Sequence, residues 1–302
     1  MSACHPGKRE TQEQPIDLKE EAVNTLRKIL HEQQEWVKVH AAEFLIWSGH
    51  SGAVKDVYLK ELERFHERPQ YRIGIWRVLA LLSNSDEAAR YKTQIVNAFL
   101  DTAGRDRIHA IETMAKLKIS PLPQYPEATN AALHSDVKSF SAYTHWAVAY
   151  TNADSAKAAE KYFLNRLLDA NEDMLQRRVA AYVLRISGEL DIEDWNALSG
   201  MVLALPDDAE GKVGFLNAAL LTAPQEAKIN ETYKNIFNRF VAFSNKKDKG
   251  IRMDIAAGLA VAGGTGWMRN ADPTGKAADD ADVQASAACA VLQICDRISS
   301  EQ

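Results

Sequence analysis

Arg177-Arg178-Val179-Ala180-Ala181-Tyr182-Val183-Leu184-Arg185-Ile186-Ser187-Gly188 is the stretch from which the fold can be read. Small residues gather on one side, large aliphatics follow, and a glycine stops the run. Such a segment is a helix made to lie against other helices. Lys38-Val39-His40-Ala41-Ala42-Glu43-Phe44-Leu45-Ile46-Trp47-Ser48-Gly49 repeats the pattern, and residues 255–264 repeat it again. Weaker copies are centred on residues 72–79, 107–114 and 142–149. Leu45, Leu79, Met114, Ala149 and Leu184 then hold one equivalent position, at steps of 34, 35, 35 and 35 residues. A period held that closely is the mark of stacked supersecondary units.

A second amphipathic helix fits between the copies. Residues 17–30 carry Leu18, Ala22, Leu26 and Leu30 on one face, and similar stretches occur at 54–65, 87–100, 155–168, 192–205 and 226–243. The segment 125–134 is shorter and weaker. Breakers fall between these helices: Gly49, Gly52, Pro69, Gly104, the Pro121/Pro123/Pro126 group, Gly188, Pro206, Pro224 and Gly250. Only Gly74, Gly200, Gly214 and Gly258 fall inside predicted helices. The composition agrees. Glycine and proline together make only 24 of 302 residues, against 45 alanines, and 46% of the chain is hydrophobic. Collagen-like, disordered and disulfide-scaffold classes are excluded.

The unit is therefore a pair of antiparallel helices of about 35 residues, repeated about seven times over residues 17–298, with a last helix over 283–298. In repeat length, in the Ala-Ala pattern of the second helix and in its Arg placement, the sequence resembles the HEAT-like repeat family. The resemblance implies an all-α, right-handed α-solenoid whose second helices line a concave face. It says little about activity.

Equivalent positions on the second helices form ladders. Lys38, Arg72, Arg107, Ala142 and Arg177 make a basic one, with Asp106 and Asp173 as candidate partners. Next come His40, Gly74, His109 and Thr144, then Glu43, Arg77, Glu112 and Ala147. The pairs His40/Glu43 and His109/Glu112 have the i, i+3 spacing that shares a helix face. Two repeats separate them, about 20 Å at the usual helix spacing, so they cannot hold one metal ion together. Glu43, Arg77 and Glu112 instead read as charges that neutralise one another. Trp76, Tyr143, Trp146 and Tyr182 lie near this face, and with Arg77 and His109 would make a groove for a peptide or a sugar ring, although core packing is the favoured role for Trp76 and Trp146. Trp36 and Trp47 are expected in the core.

The solenoid pattern lapses at residues 263–276, where four of the fifteen glycines crowd together with Trp267 and Arg269. These two complete the candidate contact residues. No phosphate loop is present, since Ala277 follows Gly275-Lys276. Serine elbows, His-Glu-x-x-His and dinucleotide turns are absent too. Neither a metal nor a cofactor is expected.

At the other end, Ser2-Ala3-Cys4 resembles the last residues of a bacterial lipobox, and residues 1–16 form a polar, unpatterned stretch. The resemblance implies a lipidated Cys4, a flexible tether and a location in the bacterial cell envelope, with the cytoplasm as the alternative. Cys289 and Cys295, six apart on one helix, read as small buried residues that cannot pair. A balance of 36 basic against 41 acidic side chains argues against nucleic acid, which needs a basic stripe. The sequence thus reads as a binding or scaffold protein, non-enzymatic, that takes a protein, peptide or glycan partner. The alternative is a carbohydrate lyase or hydrolase with a dispersed His/Glu/Arg site.

Overall fold

A computed structural model describes residues 15–263 and 279–301. Among the described residues there are fifteen α-helices and no strand. They are α1 (Pro15–Glu32), α2 (Glu35–Trp47), α3 (Val54–Phe65), α4 (Tyr71–Leu82), α5 (Ser85–Leu100), α6 (Arg107–Lys116), α7 (Pro126–Leu133), α8 (Lys138–Val148), α9 (Ala153–Leu168), α10 (Met174–Ser187), α11 (Ile192–Ala204), α12 (Lys212–Leu221), α13 (Glu231–Val241), α14 (Lys249–Ala262) and α15 (Ala281–Glu301).

Local chemistry sets the ends. Asn84, Asn152, Asp173, Asp191, Asn230 and Asp248 each accept a backbone N–H from the first turn of the helix that follows. Pro15 opens α1, where its missing N–H costs nothing, so Asp17 sits inside the first turn rather than capping it. The helix expected at 226–243 starts only at Glu231, because Asn230 caps it and the residues before it turn.

The even-numbered helices succeed one another side by side, α2 on α4, α4 on α6, and so on to α14. The odd-numbered helices lie against them and seldom touch each other. Then α15 packs on α14 and also on α1 and α2. The succession returns to its start, and the helices close into a ring.

The buried apolar residues form two separate large cores. One runs from Ile73 of α4 through α5–α14 to Leu259. The other joins α1–α4 to the far end of the chain, with Leu26, Leu30, Leu45 and Leu79 against Ala288, Val291, Leu292 and Ile294. At the equivalent position found in the sequence, Leu45, Leu79, Met114 and Leu184 are all buried. Ala149 is not, because α8 ends one residue before it. Trp47 also departs from expectation: it is 59% exposed at the end of α2, with one face on Phe44.

Candidate functional site

Two ladders are structural. Lys38 donates to Glu61 at 2.9 Å, and Arg72 to Asp106 at 2.6 Å; Asp106 is one of the two acids expected for the basic ladder, and Glu61 is not. Arg107 and Arg177 do something else. Each reaches back to the C-terminal end of the preceding odd helix and donates to a carbonyl, Phe99 O at 2.8 Å and Leu167 O at 3.1 Å. Asp173 is not the partner of Arg177, because it caps α10. Lys212, one more step of 35 along, does the same for α11. Its Nζ donates to Val202 O and Leu205 O at 2.6 and 2.7 Å while the side chain is fully buried. A cation there satisfies carbonyls that a helix leaves unpaired at its end.

The Glu43/Arg77 ladder is a closed ion pair. Arg77 donates twice to Glu43 and once to Thr113 on α6. Burial pulls the Arg77 pKa down, but Glu43 and Glu112 outweigh it and hold the pKa above the ordinary arginine value. Arg77 is 1% exposed and Glu43 4%, so neither can meet a partner. Trp146 is as deeply buried and donates to the Tyr150 hydroxyl at 3.3 Å. These three leave the groove expected from sequence. Trp76 is half-buried, with Arg72 over its ring. Cys4, Trp267 and Arg269 lie outside the described residues.

His40 and His109 have different neighbours. His40 Nδ1 lies 3.0 Å from Asp282 at the start of α15, and Asp282 also accepts from Lys249 of α14 at 2.7 Å. Glu43 takes no part. His109 lies 3.8 Å from Glu112, which accepts from Lys116 at 2.8 Å. The His109 ring lies 5.1 Å from Trp36 of α2. That contact skips α4, and Gly74 explains how: a Cβ there would come within 2.9 Å of Val39 and 3.2 Å of Trp36. Gly214 occupies the same ladder position four steps of 35 later. There Arg185 of α10 meets Asp254 of α14 at 2.6 Å, past α12, and a Gly214 Cβ would lie 3.2 Å from Asp254. At both places a missing side chain lets helices two apart touch.

These contacts form a half-buried belt. Trp36, His109, Glu112 and Lys116 lead to Tyr182, which lies between Lys116 at 6.0 Å and Arg185 at 4.9 Å. Arg185 leads to Asp254 on α14, and Lys249 of the same helix leads through Asp282 to His40, back on α2. Tyr143 and Tyr182 pack on the two sides of Trp146. Burial raises the Glu112 pKa, yet Lys116, His109 and Arg77 hold it far below the usual carboxylate range. The Lys116 pKa stays above its ordinary value because Tyr182, Glu112 and Glu43 outweigh burial and Arg77. Burial, Glu112 and Tyr182 push Tyr143 up.

The belt opens into a cleft of about 730 Å³ between α10, α12 and α14. Tyr182, Arg185 and Asp254 belong to both. Arg178 and Lys246 stand at its exposed rim, and Lys246 has no ion pair among the described residues. The periodicity alone did not show this cleft. Among the described residues, one trio of possible metal ligands converges, Glu160, Asp191 and Asp194, far along the chain from both histidines. Lys157 and Lys161 already pair with it.

No known protein family, curated protein or solved structure matches this chain.

Proposed function

We propose that the chain is a non-catalytic binding protein, a HEAT-like solenoid of helix pairs closed on itself, that takes a carboxylate-bearing peptide or glycan chain in the cleft between α10, α12 and α14. The observation that carries this reading is the meeting of Tyr182 and the exposed Lys246 on one cleft, beside Arg185 and Arg178, which pair there with Asp254 and Glu210, while Asp207, Asp208 and Asp248 also line it. Guanidinium and ammonium groups pair with carboxylates, and an aromatic face takes a sugar or side-chain ring.

The test is calorimetry with uronate oligosaccharides and acidic peptides, against their neutral analogues. Lys246→Glu and Tyr182→Ala are expected to weaken binding of the acidic chain at least roughly tenfold, the loss of one good contact. Unchanged affinity in both variants, or no affinity for any acidic chain, overturns the reading.

We also propose that Cys4 is lipidated and tethers the domain to the bacterial envelope. Supporting it is the Ser2-Ala3-Cys4 motif. Metabolic labelling with a clickable fatty acid, lost in Cys4→Ser, tests it.

A further inference from the structure

We infer that the ring has a built-in opening seam between α14 and α15, and that α15 stays with α1 and α2 when the seam parts. The inference starts from the separation of the two cores. The apolar face of α15 belongs to the core of α1–α4, through Ala285, Ala288, Val291, Leu292, Ile294 and Cys295. Among the described residues, the buried apolar cluster that it shares with α14, a close neighbour, is three alanines, Ala256, Ala260 and Ala290. Methyl groups bury little area each, so this cluster contributes less than the core that α15 completes on α1–α4. Small side chains also let packed helices slide or part without extracting a large group from a socket.

Polar contacts complete the seam, and they sit at its two ends. At the start of α15, Lys249 bonds Asp282 at 2.7 Å and Asp280 at 3.1 Å. Lys249 is half exposed, so water and salt screen these pairs. At the other end, Arg297 donates to the carbonyls of Val261 and Gly263, the last of α14. Asp282 also holds His40 of α2, which ties α15 to its own side of the seam. The opposite meeting of the two cores, at α4, is of another kind. There the buried Arg77 joins α2 to α6 through Glu43 and Thr113. It is the pivot, and the alanine seam is the mouth. Ile251 and Asp254 of α14 line the cleft, and α10, α12 and α14 share one core, so the cleft stays on the α14 side when the seam parts.

Paired spin labels on the full chain test this, with Cys4→Ser, Cys289→Ala and Cys295→Ala as background. One pair spans the seam, Val261→Cys with Gln293→Cys; the control pair spans α1 and α15, Asn24→Cys with Gln293→Cys. Adding Asp282→Asn, or Lys249→Met, is expected to add a population longer by about 5 Å or more across the seam, one helical turn. The control distance stays narrow. If both distances lengthen together, α15 leaves as a whole and the inference is wrong. If neither changes in either variant, the seam does not open and the inference is equally overturned.

Discussion

Arg77 and Glu43 meet in a two-point ion pair across 34 residues of chain, Nε to Oε1 at 2.6 Å and Nη2 to Oε2 at 3.1 Å, while Nη1 reaches Thr113 Oγ1 at 3.0 Å. Both side chains are out of contact with water. Every polar atom of such a pair depends on the other.

Removing one partner is therefore expensive. Arg77→Ala is expected to cost about 3–5 kcal/mol, because it leaves the Glu43 charge buried alone. Pairing Arg77→Met with Glu43→Leu is expected to recover most of the loss. Denaturant unfolding of both variants measures it, and a loss in the double variant as large as in the single one would contradict the pairing argument.

Lys212 has a replacement written elsewhere in the chain. Arg107 and Arg177 bond helix-end carbonyls from the equivalent position, so Lys212→Arg is expected to be tolerated. Lys212→Met leaves the carbonyls of Val202 and Leu205 without their donor, at about 1–3 kcal/mol for each group. Thermal melts of the two variants should separate clearly.

Two helical glycines should respond oppositely to alanine. A Cβ at Gly258 would lie 2.4 Å from Phe240 and 2.8 Å from Asn217. The cost is expected at about 1–3 kcal/mol. A Cβ at Gly200 meets nothing within 4 Å, so Gly200→Ala should stabilise by about 0.5–1 kcal/mol through helix propensity. Chemical denaturation reads both signs.

Asp282 links folding to acid. The His40 hydrogen bond, followed by the bond from Lys249, holds its pKa at about 2 against an opposing effect of burial. The folded pKa lies below the unfolded one. Its stabilisation is therefore complete above the ordinary aspartate value of about 3.9 and disappears as the pH falls through about 2. The stability difference between the native protein and Asp282→Asn should be fully present at pH ~5 and shrink steadily below pH ~4. A gap unaltered across that range would show that Asp282 is not held by these partners.

The period of 35 made the helices legible, since it places the same residue types at the same depth in one helix after another. Glu43 with Arg77, and Arg72 with Asp106, followed from it directly. What periodicity cannot carry is contact between residues unrelated by one step. His40 with Asp282 spans 242 residues, and nothing local announces it. Burial was misread where a side chain stands at a helix end: Trp47 keeps the core pattern in sequence but sits on the last turn of α2, past the neighbours that would cover it. For Trp146 the core reading holds over the groove reading, and Tyr143 and Tyr182 both pack against it. Gly74 and Gly214 were visible as anomalies inside helices. Their meaning needed the partners that pass over them, Trp36 and Asp254.

The last helix completes the first core, and synthesis runs from one end of the chain to the other. As α1 and α2 leave the ribosome, the face that Val291, Leu292 and Ile294 will cover is bare, and it stays bare until α15 has been made. The body from α5 to α14 has no such dependence and can settle before α15 is made. Birth order and folding order are therefore opposed for α1 and α2, which are made before α5–α14 and finished after them. Loss of α15 by an early stop would strip apolar cover from the opposite end of the sequence, and a chaperone watching the nascent chain would find its longest-lived target in α1 and α2.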